Sequence, residues 1–155
     1  MPDISSSPDV TFDAEWLHHN AHLCQVSTRR INGEKIRAGR ATQWDITIKR
    51  SLGFSKDHVH ISLACEASAQ SKTEKPLGSI EVEVVGNYRI GDEHPEIANE
   101  DAMRFGNEVG IRDVFPYLRQ AVEFVSAQIG LGPVKLSPPE PYALSQGAIS
   151  HEEHE

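Results

Sequence analysis

Three segments of strict apolar–polar alternation constrain this chain more than any other feature in it. Trp44, Ile46 and Ile48 alternate with Asp45, Thr47 and Lys49. Val59, Ile61, Leu63, Cys65 and Ala67 alternate with His58, His60, Ser62 and Glu66. Ile80, Val82, Val84, Tyr88 and Ile90 alternate with Glu81, Glu83, Asn87 and Arg89. A period of two places one face of each strand in a core and the other in water. That is the pattern of an antiparallel sheet, not of a parallel sheet covered on both sides. The loops at 53–57 and 71–76 are short enough for consecutive hairpins. Residues 25–38 also read as extended, with Asn32-Gly33 marking a tight turn or a bulge.

The alternation then gives way to a different period. Behind Asp113, apolar residues fall at Val114, Leu118, Ala121, Val122, Val125 and Ile129, which fits 3.6 residues per turn. Asp113 is suited to cap this helix, and Pro116 is tolerable within a first turn, where backbone amides lack helical partners. Gly130, Gly132 and Pro133 stop it. Tyr117, Ala121 and Phe124 form a second apolar line, so the helix is expected to touch the sheet on one side and another subunit on the other. Asp13 would cap a shorter helix carrying Trp16, Leu17, Ala21 and Cys24 inward. Residues 91–100 form an acidic crossover, and 101–107 part of a helix that breaks near Gly110. The expected architecture is α+β: a four-stranded antiparallel sheet packed by a long C-terminal helix.

A chain of 155 residues is one domain, large enough to bury a core without staples. The boundaries read as a disordered, Ser- and Pro-rich stretch over 1–12, a folded domain over 13–144, and an acidic disordered tail over 145–155. Cys24 and Cys65 make neither a disulfide framework nor a metal spacing, and both read as buried free thiols. The first residues carry no basic and apolar signal pattern, and no apolar run is long enough to span a bilayer, so a cytoplasmic protein without membrane insertion is expected.

Charge argues against nucleic acid. Lys plus Arg is 15 against 23 Asp plus Glu, a net charge of -8, whereas phosphate binding rests on cations. The charges are also segregated: 28–50 holds seven cations against Glu34 and Asp45, and 81–101 holds seven acids against Arg89. Such blocks suit docking of a charged partner or are simply solvated surface.

Catalytic motifs are scarce. There is no Gly-x-Ser-x-Gly elbow and no glycine-rich phosphate loop, so an enzyme is disfavoured and no cofactor is expected. His18 and His22, four apart, could share a helix face and bind zinc. A small metal-dependent enzyme is therefore the alternative of another class, and a plain surface cluster is the simpler one.

The region 105–144 resembles the SecB family of export chaperones. The resemblance rests on Phe115-Pro116-Tyr117-Leu118-Arg119 opening a helix, a Gly-containing break, and Leu136-Ser137-Pro138-Pro139-Glu140-Pro141-Tyr142-Ala143-Leu144. It departs where the family has Asn-Phe-Asp before the final Ala-Leu; here the stretch is Glu140-Pro141-Tyr142. The segment 145–149 is also too short for the family's second helix. The resemblance implies an ATP-independent holdase, assembled through its helices as a dimer of dimers, that keeps unfolded preproteins soluble and hands them to SecA. Divergent SecB-like relatives instead protect the antitoxin of a toxin–antitoxin system. Trp44, Phe54, Tyr88, Phe115 and Tyr117 are the candidates to line a client groove, with ordinary core packing as the alternative for each. Glu81 and Glu83 are placed like the acidic face that docks SecA, and Tyr117, Ala121 and Phe124 form the candidate oligomer interface.

Overall fold

A computed structural model describes residues 14–55, 57–91, 97–138 and 148–151. Four long strands, β1 (His22–Lys35), β2 (Gln43–Phe54), β3 (His58–Gln70) and β4 (Pro76–Arg89), pair antiparallel, with β2–β3 and β3–β4 as the expected hairpins. The first strand does not lie beside the second. It pairs with β4, so the sheet runs β1-β4-β3-β2, and residues 36–42 strap across its end to join the two sides. Backbone amides hold that strap: Ile36 and Arg37 donate to Leu77, Ala41 to Leu131 and Thr42 to Gln70. A short fifth strand, β5 (Ala148–His151), adds parallel to β2 along Ser51 to Phe54, within the tail read from sequence as disordered.

The helical region is one continuous rod. After α1 (Ala14–Asn20), helix α2 (Asn99–Phe105) runs through a π turn (Gly106–Gly110) into α3 (Ile111–Ile129) with helical backbone throughout. The break expected near Gly110 is thus a local widening, where Gly110 lets the rod press onto Ile61 of β3. Asp113 is consequently the third residue of α3 and not its cap, and Pro116 lies inside the helix on an exposed face. Gly130, at φ 72°, ends α3 in the left-handed conformation.

Alternation and helical period meet in the core. The helix-facing side of the sheet carries Leu63, Cys65, Ala67, Ala69, Ile80, Val82 and Val84, and α3 lays Val114, Leu118, Val122 and Val125 on it. Burying each of these larger aliphatic side chains contributes roughly 1.5–3 kcal/mol. A second cluster, with Leu17, Leu52, Phe54, Val59, Ile61, Tyr88, Ile97 and Phe105, lies under α1, α2 and the π turn. Residues 131–136 continue the first core in an extended run, Leu131, Val134 and Leu136 inward.

Two local expectations are corrected. Asn32-Gly33 makes no turn; both residues sit in regular register in β1, opposite Glu81 and Ile80. Glycine is needed there because Val125 passes 2.6 Å from where a Cβ would stand. The irregularities fall instead between Leu23 and Gln25 and between Thr28 and Arg30. Cys24 lies exposed on β1, not inward on a helix, since α1 ends at Asn20. The capping role given to Asp13, the stretch 1–12, most of the acidic crossover and the motif over 139–144 lie outside the described residues.

Candidate functional site

Register fixes which side chains of β2 face the helical layer. Trp44, Ile46, Ile48 and Arg50 stand opposite Ala69, Ala67, Cys65 and Leu63, all inward residues of β3. Helix α3 lies over β4 with its flanks on β1 and β3. The outermost row, Trp44, Ile46 and Ile48, therefore packs against the first core yet stays half-exposed. The result is an apolar trough along β2. Its Trp44 indole Nε1 is buried without an acceptor among the described residues.

The backbone edge beside the trough is also open. β5 pairs with β2 only along Ser51 to Phe54, so among the described residues the stretch from Gln43 to Arg50 has no partner on that side. Unpaired N–H and C=O groups in a row are a template for an added strand. β5 shows that this same edge accepts one. Where the strap, the end of α3 and the extended run meet, a cavity of about 620 Å³ is lined by Arg40, Glu123, Ala127, Gly130, Pro133 and Lys135, among others.

The structure divides the five residues named for a groove. Trp44 lines the trough. Phe54 and Tyr88 are buried in the second core, where the Tyr88 ring meets Phe105 edge-on at 5.1 Å, and Phe115 is buried in the first. These three are buried core residues: the helical layer covers Phe54 and Tyr88 on the sheet, and Phe115 belongs to that layer on its inner side. Tyr117 stands on the outer face of α3, 48% exposed, with Phe124 at 60% and Ala121 partly buried between them. Ile46 and Ile48 were missed as site residues, although their spacing of two from Trp44 places them on its face.

Glu81 and Glu83 lie on the opposite, outer face of the sheet, and their charge is not free. Arg30 pairs with Glu81 at 2.5 Å and Arg29 with Glu83 at 3.4 Å, while the Ser62 hydroxyl donates to Glu83 at 2.8 Å. Adjacency of β1 and β4 folds the basic block of the sequence against the acidic one. The Glu81 carboxylate accordingly raises the Arg30 guanidinium above its ordinary value.

His18 and His22 do not share a helix face: His18 is on α1 and His22 opens β1. Among the described residues no group of three His, Cys, Asp or Glu is placed to hold a metal ion. No helix among them is long and apolar enough to cross a membrane.

No protein-family model matches the chain, and no curated protein matches it in sequence. Solved structures do match. The SecB-like chaperone Rv1957 of Mycobacterium tuberculosis, in complex with a ChAD peptide from the Rv1956 HigA1 antitoxin, superposes with a TM-score of 0.70 over 80% of this chain and 94% of that one, at 16% identity. The fold is SecB-like. A protein of unknown function from Streptococcus agalactiae superposes at a TM-score of 0.37, with 8% identity over 76% of this chain and 96% of that one. The SecB-like fold agrees with the resemblance carried by residues 115–119, and the low identity with a divergent sequence.

Proposed function

We propose that this protein is an ATP-independent holdase that binds an unfolded segment of a client along β2. The observation that carries the reading is the half-exposed row Trp44, Ile46 and Ile48 beside an unpaired strand edge. An extended chain added there gains backbone hydrogen bonds from the edge and side-chain burial from the trough, with no demand for nucleotide. A dedicated client of the antitoxin kind is preferred over general preproteins. In its favour stands the SecB-like neighbour, which was solved with an antitoxin peptide. Handover to SecA through Glu81 and Glu83 is less favoured, because Arg29 and Arg30 already pair with those carboxylates. We further assign the face of Tyr117, Ala121 and Phe124 to contact between copies of the chain, as in a dimer of dimers.

The test is dilution of a chemically denatured client into buffer containing the protein, without nucleotide, followed by light scattering. Suppression of aggregation near stoichiometric ratios, weakened by Ile46→Asp or Ile48→Asp, is the expected result. No suppression by the wild-type protein would overturn the reading.

A further inference from the structure

Arg50 closes the row that begins with Trp44. It lies on the helix-facing side of β2, between Ile48 and Leu52 and opposite Leu63, and is only 5% exposed. Among the described residues its Nη1 is buried with no hydrogen-bond partner, and none of their ion pairs includes it. Burial accordingly pushes its guanidinium below the ordinary value, with no carboxylate acting to raise it. A guanidinium does not escape this cost by losing its proton, since arginine stays charged in proteins. A buried cation without a counter-charge is destabilising, and an apolar side chain of similar length would suit the site better in the unliganded protein. The position is therefore costly for the fold and suited to a ligand.

We propose that Arg50 anchors a carboxylate on the bound chain. An extended segment lying along Gln43 to Arg50 would set apolar side chains at alternate positions against Trp44, Ile46 and Ile48. It would place an Asp or Glu, or its own chain end, level with Arg50. Trp44 and Arg50 are six residue steps apart on the strand, about 20 Å, so the recognised segment is about seven residues long. Guanidinium and carboxylate meet in a bidentate, charge-assisted pair, which the apolar surroundings strengthen. The net charge of -8 does not oppose this at close range, because distant charges are screened beyond about 8 Å at physiological salt. The proposal rests on the trough as the client site and adds the chemistry of one end of it.

The experiment uses the full chain and fluorescently labelled seven-residue peptides with leucine at odd positions and serine at even ones, acetylated and amidated. One Glu stands at the first or the last position, and Gln replaces it in matched controls. A further peptide has no Glu and a free carboxyl end. Binding is read by fluorescence polarisation for the wild-type protein, Arg50→Met and Arg50→Lys. The expected result is a Glu peptide binding about tenfold tighter than its Gln control, a preference abolished in Arg50→Met and partly kept in Arg50→Lys. Which end is preferred reports the direction of the added strand. A gain confined to the free carboxyl end identifies a chain terminus as the source of the carboxylate. Equal binding of Glu and Gln peptides, with no gain from the free end, overturns the role of Arg50 and leaves the trough standing. A preference that survives Arg50→Met overturns it as well. Failure of every peptide to bind removes trough and anchor together.

Discussion

The phenol of Tyr88 donates a hydrogen bond to Oδ2 of Asp113 at 2.9 Å, tying the end of β4 to the first turn of α3. One partner is buried in the second core, and the other stands at the start of the helix that seals the first. The bond therefore joins the two cores at the point where the rod begins to cross the sheet.

Removing it in Tyr88→Phe should lower stability by about 1.5–3 kcal/mol, the range for a hydrogen bond to a charged acceptor, measured by urea unfolding. The pH dependence has a definite sign. Burial, reinforced by the hydrogen bond to Asp113, pushes the Tyr88 phenol well above its ordinary value. The unfolded chain then loses this proton first, from about pH 10 upward, so stability contributed by the protonated phenol is full below that pH and falls as pH rises further. Tyr88→Phe should flatten the alkaline limb of the stability curve relative to wild type. Parallel limbs would show that Tyr88 titrates as it does in the unfolded chain.

A second close approach fixes how α3 sits. A Cβ on Gly86 of β4 would collide with Cγ2 of Val114, and a β-branched side chain in a helix has little freedom to turn away. Gly86→Ala should destabilise the protein by about 1–3 kcal/mol through overpacking. Adding Val114→Ala opens the space again. The double variant should be more stable than the sum of the two single effects, a positive coupling that a double-mutant cycle reads directly. Strict additivity would mean that the helix lifts freely from the sheet.

Much of this architecture is legible from residue order, and the parts that are not share a cause. Alternation over β2, β3 and β4 reports which side of a strand each residue faces, and Ile46, Leu63 and Val82 all lie where it places them. It is silent on which strand becomes the neighbour. β1 joins β4 across the forty residues between them, and that choice depends on the strap over residues 36–42. Depth is equally hidden. Trp44 and Phe54 have the same parity on the same strand, yet one is half-exposed and the other buried, because the rod and α1 cover only one end of β2. Arg50 reads from sequence as one cation of a basic block. It shares the parity of Trp44, Ile46 and Ile48, and only the packed structure shows that it is buried there.

The outer face gives a prediction about partners. Glu81→Lys with Glu83→Lys would set two new cations beside Arg29 and Arg30 and disrupt any basic partner that docks there. Arg29→Ser with Arg30→Ser does the opposite and frees both carboxylates. If SecA uses this face, its affinity should vanish in the first variant and rise several-fold in the second at low salt. Peptide binding at the trough should be unchanged in both. Equal SecA affinity across all three proteins would show that the paired charges serve only the surface.

The two cysteines should separate cleanly. Cys24 is exposed on β1, whereas Cys65 is buried and its thiol is pushed up to about 11 by burial and the neighbouring Glu66. Since the thiolate is the reactive form, one thiol per chain should react quickly with a disulfide reagent at pH 8, and the second only on unfolding. Cys24→Ser should remove the fast phase. A fast phase that persists would place Cys65 within reach of solvent.

The outer face of α3 carries the last prediction. Tyr117, Ala121 and Phe124 follow one another at four and three residues, so they share one side of the helix, turned away from Leu118 and Val122 in the core. Two large exposed apolar side chains on one face are a surface for association. Sedimentation velocity of the wild-type protein should show an oligomer, and Phe124→Glu with Tyr117→Glu should shift it towards monomer. Neither side chain is part of the core, so each substitution should alter the stability of the single subunit by no more than about 0.5 kcal/mol. The trough lies on β2, away from this face, and the dissociated variant should still bind the leucine–serine peptide. Loss of peptide binding on dissociation would instead show that the client site is completed by a second copy of the chain.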